Sequence, residues 1–236
     1  YILLIVADGI GGWQSKYGYS ASKFTHSIVA EINNLFKSGI QDPETLVEEA
    51  LKNIYTPGAC TMVIAIINKY TQTAYTYQVG DADYILVSPD GKIKARGESK
   101  FRGAKNPTQG AMGLYAPNRI EKQHMTLEEF IDEPVINKLQ IVPGDTLILA
   151  SDGLWDNIFK QEIIDLHDID SDLELFRDEI VDLVMRRLYN DPPAEPGYRG
   201  WNRFPTPYSR SRQEIDPEYM DSPKVDDTTF VIFQTS

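Results

Sequence analysis

Ile5-Val6-Ala7-Asp8-Gly9-Ile10-Gly11-Gly12-Trp13 is the stretch on which the reading of this chain turns. It continues an apolar run from Tyr1 through Ala7, of the kind that forms a fully buried strand. The run stops at Asp8, and Gly9, Gly11 and Gly12 then let the backbone turn sharply. A carboxylate thus stands at the tip of a rigid core strand with a glycine carbonyl beside it. Oxygen donors on a stiff base are what hold a hard divalent cation. The same residues also make a plain Asp-Gly turn, and this segment alone does not separate the two.

Composition narrows the classes. A chain of 236 residues makes one large domain or two small ones. Its 42% hydrophobic and 25% charged residues are those of a soluble globular protein. No apolar run approaches the roughly 18–20 residues that span a bilayer. Cys60 is the single cysteine, so no intrachain disulfide forms and a reducing, intracellular compartment is expected. The first residue lies inside a strand and is not Met, which suggests a missing upstream segment and, with it, any targeting peptide. Net charge is −12, from 23 basic against 35 acidic residues. That disfavours nucleic acid and anionic membrane as partners, and leaves an anionic substrate to be received by locally bound cations. His26, His124 and His167 show no metal-ligand spacing, which argues against zinc.

Outward from Asp8, Phe24, Ile28, Ile32, Leu35 and Phe36 predict an amphipathic helix over 20–37, ended by Gly39. Asp42-Pro43 opens a second helix with Leu46, Val47, Ala50, Leu51 and Ile54 inward. Strands are expected over 59–67, 73–79, 84–88, 134–141, 146–150 and 230–234, with tight turns at 68–72, 89–91 and 143–145. A short helix can begin at Thr126, and helices are predicted near 160–167 and 171–189. Residues 92–125 lose periodicity and carry Lys92, Lys94, Arg96, Lys100, Arg102, Lys105, Arg119 and Lys122 against two acids. This basic island reads either as a solvated loop or as a flap that meets a phosphorylated partner. Residues 190–224, rich in Pro, Gly, Arg and Tyr, predict an irregular excursion.

Hairpin-linked strands and two helix pairs point to an α+β fold: a four-layer α-β-β-α sandwich, with two antiparallel sheets face to face and a helix pair on each outer face. The expected organisation is a single domain over 1–236 carrying those two insertions. Asp81, Asp152 and Asp226 repeat the position of Asp8, each where a strand meets a turn. Brought together, such carboxylates repel one another unless cations lie between them. Oxygen ligands without His or Cys select Mg²⁺ or Mn²⁺, and two such ions serve in-line attack on phosphorus without a side-chain nucleophile.

Five motifs carry a resemblance. Val6-Ala-Asp8-Gly-Ile-Gly-Gly-Trp13, Gly58-Ala-Cys-Thr61, Val79-Gly-Asp81-Ala-Asp83, Leu149-Ala-Ser-Asp152-Gly-Leu-Trp-Asp156-Asn157 and Lys224-Val-Asp226-Asp227-Thr-Thr229 resemble, in order and spacing, those of the metal-dependent type 2C (PPM) Ser/Thr protein phosphatases. Gly-Gly-Trp13 and Asp216-Pro-Glu-Tyr-Met220 resemble the organelle-targeted branch, with its mitochondrial and chloroplast members. The resemblance implies a hydrolase that removes phosphate from phosphoserine and phosphothreonine in proteins through a metal-bridged hydroxide. It implies that Asp8 bridges two Mg²⁺ or Mn²⁺ ions, that the Gly9 carbonyl binds one, and that Asp152 and Asp226 complete the set. Asp81 and Asp156, with Asp152 shared, match a third, looser metal site. Asp227 stands where many relatives have Asn, Ile10 where many have His, and the family's upstream acid and phosphate-binding Arg precede Tyr1. Residues 92–125 depart from the branch, with Asn106-Pro-Thr-Gln109 only a faint match.

The rival reading is a catalytically degenerate phosphatase fold that serves as a scaffold subunit of a larger assembly. A repulsive carboxylate cluster serves no purpose there. Trp13, Trp155 and Trp201 read as packing residues, and Cys60 as a small core residue. The Arg-rich tract from Arg199 to Arg212 reads equally as surface or as partner contact.

Overall fold

The structure is a computed structural model that describes residues 1–11, 18–98, 101–102, 106–107, 134–167, 172–189, 205–214, 217 and 223–235. Its elements run β1 (Ile2–Gly9), α1 (Ala21–Lys37), α2 (Pro43–Asn53), β2 (Cys60–Asn68), β3 (Thr73–Val79), β4 (Asp83–Val87), β5 (Ile93–Arg96), β6 (Phe101–Arg102), β7 (Asn106–Pro107) and β8 (Val135–Gln140). They continue with β9 (Thr146–Ala150), α3 (Asp152–Trp155), α4 (Lys160–Leu166), α5 (Leu173–Tyr189), α6 (Pro207–Gln213) and β10 (Phe230–Gln234). The chain divides into two compact units, Tyr1–Tyr84 with Gly97–Val142, and Ile85–Arg96 with Pro143–Ser236.

In the first unit β1-β2-β3-β8 form an antiparallel sheet. Alternation along β1 sends Leu3, Ile5 and Ala7 toward the helices, and Ile2, Leu4, Val6 and Asp8 to the other face. Phe24, Ile28 and Ile32 of α1 and Leu46, Val47 and Ala50 of α2 pack on Cys60, Met62, Ile64 and Ile66 of β2. Each fully buried aliphatic chain contributes about 1.5–3 kcal/mol. Both helices start on a side-chain cap, and the start at Asp42-Pro43 is the one expected from the sequence. Ser20 Oγ accepts the Lys23 N–H at 3.3 Å, and Asp42 Oδ2 accepts the Thr45 N–H at 2.9 Å with Pro43 in the first turn.

In the second unit β10-β9-β4-β5 form the other antiparallel sheet. Ile163 of α4 and Phe176, Ile180 and Val184 of α5 pack against Ile85, Val87, Ile148 and Ala150. Glu162 caps α4 through the Phe159 N–H at 3.0 Å and also receives Arg187 of α5, which ties the two helices together. Two antiparallel four-stranded sheets, each with a helix pair, are the α+β components expected from the sequence.

Three local readings change. Residues 93–96, expected to be irregular, form β5 beside β4. Two cations of the basic island are engaged, Lys92 by its neighbour Asp90 and Lys94 by the distant, fully buried Asp145. Residues 207–213 form a helix inside the expected excursion, with Thr206 as its cap. The remainder of the proposed flap, the helix at Thr126, His124, Trp13, Trp201 and the Asp216–Met220 motif lie outside the described residues, apart from Gly97, Glu98, the turn residue Pro217 and the backbones of β6 and β7. Among the described residues no helix is long and apolar enough to cross a membrane.

Candidate functional site

In the first unit β1 and β3 flank β2, so both end at the same edge of the sheet. Asp8 lies opposite Thr61, and one residue on, Met62 lies opposite Val79. The chain leaves β3 through Gly80, whose φ of 81° favours glycine, and reaches the buried Asp81 at that same edge. Asp8 is half-buried at the tip of its strand. Gly9 owes its identity to a close approach: a Cβ there would stand 3.0 Å from both Ala21 Cβ and Thr25 Oγ1. The first turn of α1 therefore lies directly on the end of β1. Ile10 extends the pairing by donating its N–H to the Ala59 carbonyl at 3.0 Å. Thr61 Oγ1, across the ladder from Asp8, is buried and has no hydrogen-bond partner among the described residues. Cys60 is fully buried in the core, and burial, with a smaller push from the Asp8 charge, moves its thiol up to about 12. That environment suits a packing residue and not a nucleophile.

In the second unit β9 and β10 are antiparallel, with Ala150 opposite Phe230. The residues after β9 and those before β10 therefore meet at one edge. Ser151 joins them: its N–H donates to the Thr229 carbonyl at 2.9 Å, and its Oγ accepts the Thr229 N–H at 3.1 Å. Gly153 allows this closeness, since a Cβ there would overlap the Asp227 carbonyl. Asp152 opens α3 and is buried, and Asp156 follows α3.

One ammonium joins the acidic residues. Lys224 Nζ donates to Asp152, donates to Asp156 Oδ2 at 2.8 Å, and lies 3.1 Å from Asp226 Oδ2. Burial alone would lower the Lys224 ammonium, but its hydrogen bonds to Asp152 and Asp156 outweigh that and hold it well above its ordinary value. Burial lifts the Asp156 carboxyl above the usual range; Lys224 opposes the rise, and Asp152 and Asp226 add to it. Asn157, fully buried, holds the main chain of Lys224: its Oδ1 accepts the Lys224 N–H at 2.9 Å and its Nδ2 donates to the Lys224 carbonyl at 2.8 Å. Tyr208, at the start of α6, donates its N–H to the Asp156 carbonyl at 2.9 Å.

Of the expected ligands, Asp8, Gly9 and Asp81 thus share one end of the first sheet, and Asp152, Asp156 and Asp226 share one cation in the second unit. The donors are hard oxygens, and Asp152, Asp156 and Asp226 already surround a cation, which fits Mg²⁺ or Mn²⁺. Among the described residues, no three His, Cys, Asp or Glu side chains stand as a finished metal cage; the three carboxylates are arranged around an ammonium instead. His26 bonds the Ser22 carbonyl at 2.7 Å, and His167 lies 3.0 Å from Thr146 Oγ1. Trp155 is a core residue, with Nε1 on the Ala150 carbonyl at 3.0 Å.

Lys224 and Asn157 belong to the motifs above, but the sequence alone assigns neither a role. A lone lysine among aspartates was the available signal for the first. Tyr208 gave no signal, because its contact is made by the backbone.

Comparison with known proteins places the chain. The family described as Stage II sporulation protein E (SpoIIE) matches residues 1–195. A PTC7 protein phosphatase homologue of Drosophila pseudoobscura pseudoobscura is 26% identical over 169 residues, covering 68% of this chain and 48% of the relative. The chain thus spans about half the length of that curated relative. The X-ray structure of the photosystem II phosphatase PBCP superposes with a TM-score of 0.78 at 19% identity, covering 99% of this chain and 87% of that one. RsbX, solved in complex with magnesium, gives a TM-score of 0.54 at 18% identity, over 77% of this chain and 73% of its own. These likenesses show the α+β fold of two antiparallel sheets with helices, and the match over residues 1–195 shows that the chain belongs to the SpoIIE family of PPM-type phosphatase domains.

Proposed function

We propose that this chain is a Mg²⁺- or Mn²⁺-dependent protein serine/threonine phosphatase, and that residues 1–236 act as one phosphatase domain. The observation that carries this reading is the convergence of Asp152, Asp156 and Asp226 on a single cation at the edge where β9 ends and β10 begins. Membership of a phosphatase family supports it, as does the magnesium held by RsbX. Asp8, the Gly9 carbonyl, Asp152 and Asp226 are the proposed ligands of an ion pair, and Asp81, Asp156 and Asp152 those of a third ion. Bound, the ions would neutralise the phosphoryl charge and acidify a water for attack in line with the leaving hydroxyl.

The chain's own residues do the positioning. The end of β1 fixes Asp8, and the first turn of α1 against Gly9 limits its movement. Ser151 and Asn157 hold the segment bearing Asp226 against the one bearing Asp152 and Asp156. Burial of Asp152 keeps bulk water from its carboxylate. The products would be inorganic phosphate and the free hydroxyl of the protein substrate. A mitochondrial address rests on the resemblance of Gly-Gly-Trp13 and Asp216-Pro-Glu-Tyr-Met220 to the organelle branch.

The test is hydrolysis of an aryl phosphate and of a phosphothreonine peptide with Mn²⁺ or Mg²⁺ supplied. Turnover should vanish with a chelator and return with the metal. Asp8→Asn and Asp152→Asn should each lower it at least a hundredfold while the fold, read by circular dichroism, is kept. Turnover that survives chelation would overturn the reading. Imaging of the full-length protein against a mitochondrial marker tests the address.

A further inference from the structure

The inference concerns Lys224 and rests on the reading of Asp152, Asp156 and Asp226 as metal ligands. Its Nζ reaches all three carboxylates, and its side chain is only 25% exposed. Among the described residues no other lysine or arginine is paired with them. One positive charge thus faces three negative ones, leaving the group short of neutral. Its backbone is fixed at both N–H and carbonyl by Asn157, whereas its side chain is a flexible four-carbon stem. The two halves of the residue therefore differ in freedom: the main chain cannot leave, but the ammonium can.

An ammonium and a divalent ion about 3 Å from the same carboxylate oxygens disfavour each other. They would compete for the same lone pairs and repel each other across a poorly solvated gap. We propose that Lys224 is an exchangeable internal counter-cation. Its ammonium holds Asp152, Asp156 and Asp226 together in the metal-free chain and gives up its place when a divalent ion enters. Metal binding is then a competition, and the affinity measured for the wild type is lower than the carboxylates alone would give. In return, the metal-free chain escapes the repulsion of three adjacent carboxylates.

The experiment uses the full chain and Lys224→Met, which keeps length and loses charge. After chelator treatment, K224M should melt several degrees below the wild type. By calorimetric titration, K224M should bind Mn²⁺ at least fivefold more tightly, and Mn²⁺ should raise its melting temperature by more. If Lys224 merely scaffolds the carboxylates, K224M binds Mn²⁺ more weakly, and that result overturns the inference. Equal affinity in both proteins also overturns it. Absence of Mn²⁺ binding by the wild type would overturn the metal-site reading, and this inference with it.

A second measurement needs no variant. Acetylation of Lys224 by an activated ester, followed by mass spectrometry, should be slow in chelator and at least severalfold faster in saturating Mg²⁺. Labelling that is unchanged or slowed by Mg²⁺ overturns the exchange even if K224M fails to fold.

Discussion

The Asn157 side chain holds the main chain of Lys224 from both sides, accepting its N–H at 2.9 Å and donating to its carbonyl at 2.8 Å. A third bond, from Nδ2 to the Gly153 carbonyl at 2.9 Å, anchors the amide to α3. One buried side chain thus fixes the distance between the segment that carries Asp152 and the one that carries Asp226. Asn157→Ala should remove all three bonds and leave the buried Gly153 carbonyl and the half-buried Lys224 main chain without them. The expected cost is about 2–4 kcal/mol, read by urea denaturation of the metal-free protein, with a fall in Mn²⁺ affinity by titration. A loss under 1 kcal/mol would show that water replaces the amide.

The same edge is controlled from the other side by Gly153. A methyl group there would overlap the Asp227 carbonyl and crowd Thr228, and backbone yields less readily than a side-chain tip. Gly153→Ala should therefore push the 226–228 segment outward, at a cost of about 1–3 kcal/mol. Mn²⁺ affinity should fall together with stability. A variant as stable as the wild type that binds Mn²⁺ equally well would contradict this account.

What could be read in advance follows from how local each signal is. The Asp-Gly strand ends, the Asp42 cap and the apolar stripes of α1, α2 and α5 are encoded within a few residues, and the structure has them where expected. β5 escaped because Ile93-Lys-Ala-Arg96 is a mostly exposed edge strand with no apolar face to reveal it. α6 escaped because its seven residues lie in a tract rich in proline and arginine, although Thr206-Pro207 is a sound helix start. Asp8 and Asp152 stood out as candidates because each follows an apolar run. The contacts of Lys224 are to residues about 70 positions earlier in the chain, and no local pattern carries that information.

Thr61 offers a separation of stability from function. Its hydroxyl is buried directly across the ladder from Asp8, with no partner among the described residues. For folding alone, an unsatisfied buried hydroxyl is unfavourable, so Thr61→Val, nearly identical in shape, should stabilise the protein by about 1 kcal/mol. If the hydroxyl serves the site beside Asp8, the same variant should lose turnover on an aryl phosphate by tenfold or more. Measured together, higher stability with lower turnover confirms the expectation, and unchanged turnover refutes it.

Cys60 sets part of the alkaline limit of the fold. Its thiol moves from an ordinary 9.0 to about 12 because burial disfavours the thiolate, with Asp8 adding to the effect. The folded-state value is the raised one, so the contribution is fully present below pH 9 and is lost as pH climbs toward 12. Over that range the unfolded chain releases its proton while the folded chain keeps it. Tyr77, also raised by burial, acts in the same direction, so the cysteine must be isolated by comparison. Between pH 9 and 11 the wild type should lose about 2 kcal/mol more stability than Cys60→Ala, which has nothing to titrate. Urea titrations at the two pH values measure the difference. Iodoacetamide at pH 8 gives a second check: it should label Cys60 only once urea has opened the core, and labelling of the native chain would place the thiol at the surface instead.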